Sequence, residues 1–389
     1  MKICYVISTV NIAGGANRSL LDLLPYVIDA GHECTILACA HGSMEDAARD
    51  LGIPYKVIPF STYVETTTLY RKLRRRAANI YGKYAIGRFL RHERFDLVHN
   101  NSLPTAVGMD AALAVDIPYV CHIRENVWNG LGMQFYCPNR VRKILQGAAK
   151  VITISEYIAR SYVDFAPDVD YLIMNDGLCV DDYVSKRDIF TGDTIRMGIV
   201  GIINPQKGQR EAVEALEILH QRGFSNIELD IIGDDGLWNG SRGYAQDLKR
   251  YVAEKEIRSV QFIPAIEDAG KLKERRDSYD INLICSSAEG LGRTTIESML
   301  SGSLTIAANA GATPEIINDN EYGLLYESGN AEDLADKIEY AIQNRELMKA
   351  IAKRGQAYAI DRFSIQAYSS SILKVYDSAL RERNKSGCK

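Results

Sequence analysis

The 389-residue sequence predicts an α/β protein made of two doubly wound parallel-sheet domains. Three observations carry that expectation. Short apolar runs rich in β-branched residues alternate with helical patterns from end to end, and the runs read as strands buried on both faces. The pattern restarts near residue 195, after the polar, charged run "GLCVDDYVSKRDIFTGDT" (177–194). The length also exceeds what one hydrophobic core ordinarily organises. The expected organisation is an N-terminal domain over 1–180, a linker over 181–194, a C-terminal domain over 195–363 and a final helix over 364–389 that packs back across the domains.

The first series opens with the strand "KICYVIS", followed by "ANRSLLDLLPYVIDAG", whose apolar residues recur at helical spacing up to Gly31. "ECTILAC", "MEDAARDLG", "YKVIPF" and a long helical stretch come next, then "FDLVHNN", "TAVGMDAALAV", "PYVCHIRE" and "KVITIS". The second series runs "IRMGIVG", "QREAVEALEILHQRG", "IELDIIG", "YAQDLKRYVAEKE", "VQFIP", "DINLICSS", "TIESMLSG", "LTIAAN" and "ADKIEYAIQN". The last segment, "SIQAYSSSILKVYDSALRERN", is amphipathic, with Ser364 placed as an N-cap.

Composition narrows the class. Apolar residues make up 46% and charged residues 25%, and the formal charge of −4 gives no electrostatic case for a nucleic-acid partner. The eight cysteines form no CxxC pair, and several lie inside apolar runs, which fits a reducing compartment. The start "MKICYVISTV" is too short and too β-branched for a signal peptide, and no apolar stretch reaches spanning length. The expected location is the cytoplasm.

In open parallel sheets ligands bind at the carboxyl ends of strands, so residues just after strands are the candidates. Gly14 and Gly15 follow the first strand and precede a helix, where backbone N–H groups can approach a phosphate; an ordinary loop is the other reading. Lys207 and Gly208 follow the strand ending near Gly201, which places an ammonium beside free N–H groups, as a diphosphate would want; a solvated lysine at a turn is the alternative. "AEGLGRTTIESMLSG" (288–302) sets Glu289 and Glu297 where a strand hands over to a helix. Thr294-x-x-Glu297 reads as a capping box, which accounts for Glu297 and leaves Glu289 unexplained. The other reading is a ledge for a nucleotide sugar, with Glu297 on a vicinal diol and Glu289 on a second sugar.

Taken together, these stretches resemble glycosyltransferase family 4, retaining enzymes of the GT-B fold, from the first strand to the last helix. "AEGLGRTTIESMLSG" resembles that family's E-x7-E signature, and "GIVGIINPQKGQ" its glycine–lysine segment. "DLVHNNS", "VITISEYIA", "MNDGLCVDDY", "GATPEII" and "EYGLLY" fall in the family's order. The resemblance implies a hexosyltransferase that moves a sugar from a nucleotide-diphosphate donor, UDP more than GDP, to a glycan or lipid-linked acceptor in cell-surface polysaccharide synthesis. It implies Glu297 on the ribose, Lys207 on the diphosphate, Glu289 on the transferred sugar and Gly14–Gly15 closing over the phosphates. Gly201, Gly290, Leu291, Gly292, Arg293 and Thr294 complete the implied donor contacts. No divalent metal and no cofactor is implied, since the nucleotide sugar is itself a substrate.

Two departures stand out. Many members carry an arginine where this sequence has Ile202, and Arg293 is the candidate replacement, with a solvated loop arginine as the alternative. The family's catalytic histidine slot falls on Arg124, while His122 lies two residues earlier on the same strand face. Either residue is a candidate, and Glu125 is a candidate proton acceptor or a partner for Arg124. On the acceptor side, residues 69–95 carry nine Lys or Arg against one acid, with Leu69, Leu73, Ala77, Ile80 and Tyr84 at helical spacing. That is a basic amphipathic helix suited to an anionic membrane surface, or a solvated charged face. "DVD" (168–170) resembles a metal-binding triplet, and Asp234 with Asp235 reads as a turn. Two further readings remain: a sugar-nucleotide epimerase of the same fold, and a membrane-associated scaffold with a decayed site.

Overall fold

A computed structural model describes residues 1–12, 14–65, 68–234 and 243–386. The chain separates into two compact units, Met1–Leu178 with Ser364–Lys389, and Cys179–Phe363.

The first unit runs β1 (Lys2–Val6), α1 (Gly15–Asp29), β2 (Glu33–Ala38), α2 (Ser43–Asp50), β3 (Tyr55–Val57), α3 (Leu69–His92) and β4 (Leu97–Asn100). It continues through α4 (Val107–Ala114), β5 (Tyr119–Ile123), α5 (Pro138–Gln146), β6 (Lys150–Thr153), α6 (Glu156–Val163) and β7 (Tyr171–Ile173). Among the described residues its seven strands are parallel, in the order β3-β2-β1-β4-β5-β6-β7. The strand order reverses between β1 and β4. Every residue of β4 and β5 is buried, which explains why these runs show no alternation in the sequence.

The second unit runs β8 (Ile195–Val200), α7 (Gln209–Gln221), β9 (Ile227–Ile232), α8 (Tyr244–Glu254), β10 (Val260–Ile263) and α9 (Ala269–Asp277). Then come β11 (Ile281–Ile284), α10 (Arg293–Leu300), β12 (Leu304–Ala308), α11 (Thr313–Ile316), β13 (Leu324–Tyr326), α12 (Ala331–Gln343) and α13 (Arg345–Arg362). Its six described strands are again parallel, ordered β10-β9-β8-β11-β12-β13, with the reversal between β8 and β11. Ile189 and Phe190, from the polar run between the two series, are buried in this unit's core, and Phe190 N–H donates to Asp280 Oδ1 at 2.7 Å.

The last helix, α14 (Ile365–Ser386), groups with the first unit, where it packs on α1. Ser364 Oγ accepts the Ala367 N–H at 3.4 Å, the cap its sequence position suggests. Tyr376 of α14 reaches the sheet interior, its hydroxyl 3.2 Å from that of Tyr5 and 2.8 Å from His99 Nδ1.

Helix α3 is apolar on two sides. Asn79, Gly82, Ile86, Gly87 and Leu90 face inward. Gly82 is required there, because a Cβ would lie 2.8 Å from Phe60 Cβ. The other side carries Leu69, Tyr70, Leu73, Ile80, Tyr81 and Tyr84, each 57–82% exposed. The spacing noted in the sequence is therefore that of an outward stripe, not of a core-facing one.

Candidate functional site

In the second unit, the loops after β8 and β11 meet where the strand order reverses. Asn204 caps the single turn Pro205–Lys207, its Oδ1 accepting the Lys207 N–H at 3.0 Å. Gly208 then adopts φ 66 and starts α7; a Cβ there would lie 2.3 Å from the Cys285 carbonyl oxygen at the end of β11. Gln206 O accepts the Ser287 N–H at 2.9 Å, and the Ser286 hydroxyl donates to it at 3.2 Å. The two loops are thus stitched backbone to backbone. The result is an ion pair between Lys207 Nζ and Glu289 Oε1, with side chains 29% and 14% exposed.

Glu289 is fixed from its other side by the loop before α11. Ala312 N–H donates to Glu289 O at 2.9 Å, and Gly311 at φ 60 passes so close that a Cβ would lie 2.7 Å from the Glu289 backbone. Gly201 and Gly233, at φ 152 and 155, bring the ends of β8 and β9 together, and Ile202 beside them is 49% exposed.

The capping box does not form. Gly292, at φ 91, is the N-cap of α10 and makes no side-chain cap, so Thr294 lies inside the first turn and Glu297 one turn further in. Only a glycine enters the left-handed conformation without strain, and that moves the helix start two residues ahead of the expected threonine. Glu297 is free of the N-cap and its carboxylate is buried, 5% exposed. Its Oε2 lies 2.6 Å from Arg276 Nη2 on α9, and its Oε1 lies 4.0 Å from Arg293 Nε on its own helix. Arg293 is 13% exposed, so it is packed against the ledge and is no solvated loop cation. Gly290, Leu291, Gly292 and Thr294 line the turn between Glu289 and this pair, with Leu291 buried at 4%.

The structure therefore brings Lys207, Glu289, Arg293 and Glu297 onto one edge of the second sheet. Arg276, near the end of α9 that leads into the start of β11, reaches Glu297 with its side chain and was missed in the sequence. Its helix, "AGKLKERRD", offers a single leucine and no apolar stripe to flag it. Asp234 follows β9, its Oδ1 accepting the Ala265 N–H at 3.0 Å; Asp235 lies outside the described residues.

In the first unit the candidates are internal. Arg124, 6% exposed, donates from Nε to Asn101 Oδ1 at 3.1 Å and forms an ion pair with Asp176 Oδ2. Its Nη2 lies 3.3 Å from His122 Nδ1 and 3.4 Å from the Tyr368 hydroxyl. His122 is wholly buried, and burial followed by the neighbouring guanidinium holds its pKa well below the ordinary imidazole value. The same two causes lower His99 to about 3. Burial raises the Glu125 carboxyl, which the Ser102 hydroxyl partly offsets. Neither Arg124 nor His122 presents a solvent-facing functional group; His122 on β5 and Arg124 just past its end both enter a buried polar cluster.

Gly14 is the N-cap of α1 in an ordinary extended conformation, φ −76, and a Cβ there would meet only Thr9 Oγ1 at 3.8 Å. Gly15 opens the helix. The loop before them is shaped by buried Asn17, whose Nδ2 donates to Thr9 O, Thr9 Oγ1 and Asn11 O at 2.8–3.0 Å. Asp168 and Asp170 precede β7, at the opposite strand end from these loops, and no group of three metal-ligating side chains occurs among the described residues.

Two family models match the chain. One, described as glycosyl transferases group 1, covers residues 185–358, and the other, Glycosyltransferase Family 4, covers 13–170. A putative glycosyltransferase of Bacillus subtilis, YtcC, is 22% identical over 96% of this chain and 90% of its own. The phosphatidyl-myo-inositol mannosyltransferase of Mycobacterium tuberculosis is 24% identical over 95% and 94%. Among solved structures, Anabaena Alr3699/HepE in complex with UDP superposes with a TM-score of 0.80 at 19% identity, covering 97% of this chain and 100% of that one. A glycosyltransferase from Rickettsia africae gives 0.80 at 20% identity over 97% and 98%. With both family models matched in order and two parallel sheets that each reverse at their first strand, the chain belongs to glycosyltransferase family 4 and has the GT-B fold.

Proposed function

We propose that this glycosyltransferase transfers a hexose from a UDP-sugar, with retention and without a divalent metal, to a glycan or lipid-linked acceptor in surface polysaccharide or glycolipid synthesis. The carrying observation is the Lys207–Glu289 pair at the reversal point of the second sheet, with Glu297 and Arg293 on the same edge. In the reaction the bond between the sugar's anomeric carbon and the diphosphate oxygen breaks, and its electron pair leaves with the diphosphate. The acceptor hydroxyl bonds to the same face of that carbon, and its proton passes to the departing phosphate oxygen. Negative charge grows on the diphosphate, and groups fixed beforehand to meet it lower the barrier. Lys207, Arg293 and the N-termini of α7 and α10 are such groups.

Diphosphate arrival gives the Lys207 ammonium a second anion, which releases the Glu289 carboxylate to accept hydroxyls of the sugar. Glu297 accepts from the ribose hydroxyls. UDP as donor nucleotide is supported by the UDP complex of the similar Anabaena protein. The outward stripe of α3 supports work at an anionic membrane surface, because Arg71, Arg74 and Arg76 are exposed alongside its leucines and tyrosines.

The test is turnover. Incubation with UDP-glucose, UDP-galactose and UDP-N-acetylglucosamine and a lipid-linked acceptor yields a product one sugar heavier, whose anomeric proton coupling matches the donor's. Chelator leaves the rate unchanged. Absence of UDP release with every donor, or an isomerised donor in place of a new glycoside, would overturn the assignment.

A further inference from the structure

We infer that Arg276 is the positioning residue for Glu297, holding one carboxylate oxygen so that the other meets the ribose; this rests on the donor reading above. Arg276, the penultimate residue of α9, is 6% exposed and lies 2.6 Å from Glu297 Oε2 through Nη2. Its chain neighbour Arg275 turns elsewhere, to Asp230 Oδ2 at 2.6 Å and Gln261 Oε1 at 3.2 Å. The two consecutive arginines therefore separate, one toward the β9–β10 side of the sheet and one under α10.

A buried ion pair gains little stability over apolar side chains of the same volume, so stability alone is a poor reason to keep this one. What the pair does provide is orientation. A glutamate on a helix has three side-chain torsions to fix before it can grip a diol, and a guanidinium on Oε2 removes that freedom before the ligand arrives. Oε1 is left facing the first turn of α10, 4.0 Å from Arg293 Nε, on the ledge that carries Lys207 and Glu289. Arg276 itself does not touch the donor. It acts through Glu297, so its removal is felt only by ligands that carry ribose hydroxyls.

The experiment compares UDP with 2′,3′-dideoxyuridine diphosphate by calorimetry on the full chain, with KM and kcat alongside. Hydrogen bonds to a charged group make the wild-type protein favour UDP by about 10- to 100-fold. Arg276→Met brings the two nucleotides to within about threefold, by weakening UDP and leaving the dideoxy nucleotide unchanged. KM for the donor rises with little change in kcat, and Arg276→Lys restores part of the preference. If Arg276→Met does not fold, Arg276→Gln gives the same comparison. Discrimination retained in full by Arg276→Met or Arg276→Gln, or equal weakening of both nucleotides, overturns the inference. Glu297→Ala separates the levels: if it too still favours UDP as the wild type does, the ribose reading of Glu297 fails, not merely the role of Arg276.

Discussion

Replacing Gly208 with alanine strikes the joint between the two loops of the candidate site. The new Cβ would sit 2.3 Å from Cys285 O and 2.7 Å from Cys285 Cβ, where ordinary contact begins at 3.4 Å, so the loops must part by about 1.1 Å. Overpacking of this kind costs about 1–3 kcal/mol. The φ of 66 adds about 1–2 kcal/mol for a residue with a Cβ. The expected loss is therefore roughly 2–5 kcal/mol, or a midpoint lower by about 5–15 °C for a unit of this size. The same displacement separates Lys207 from Glu289 and weakens UDP. Gly223→Ala is the control: its φ is 92 but nothing lies within 4 Å, so only the backbone cost of about 1–2 kcal/mol applies and UDP binding is unchanged. Thermal unfolding and UDP calorimetry on both variants decide. Equal destabilisation by the two, with unaltered UDP affinity in Gly208→Ala, would refute the claim that this contact sets the site.

Other consequences are as direct. His99 and His122 are buried with lowered pKa values, so between the unfolded value near 6.5 and the folded value of about 3 for His99 the unfolded chain binds the extra proton. Stability therefore falls with decreasing pH across that window, by up to about 1.4 kcal/mol per pH unit for each histidine, and His99→Phe flattens the slope measured by urea unfolding. Removing Arg124 strands the Asp176 carboxylate in a buried site, and Arg124→Met is expected to lose about 3–5 kcal/mol on the same assay. Leu73→Glu with Ile80→Glu alters only exposed positions, so folding stays within about 0.5 kcal/mol. Sedimentation with phosphatidylserine vesicles should drop in that variant, while phosphatidylcholine vesicles bind neither protein.

Both sheets were legible because their central strands are buried on both faces, so runs such as "CTILA" and "INLI" show no alternation of buried and exposed positions. Lys207, Glu289 and Glu297 were legible through their place after strands. The helix start at Gly292 was not, because a threonine followed by a glutamate three residues on looks like a cap, and only the backbone reveals that glycine has taken the position. Arg276 was hidden for a different reason. Pairing across α9 and α10 is a tertiary event, and "AGKLKERRD" carries no periodicity to announce it. The fate of His122 and Arg124 was equally invisible, since strand alternation gives the face of a residue but not what covers that face. Here Tyr368 from α14, 244 positions later in the chain, is part of what covers Arg124.

Calorimetric titration of UDP into the wild-type chain, Lys207→Ala and Glu297→Ala tests the donor site most directly. The expected result is binding that weakens by about 10-fold or more in each variant, from loss of a charge-assisted contact. Wild-type binding left unchanged by both substitutions, or absent for every nucleoside diphosphate, would contradict it.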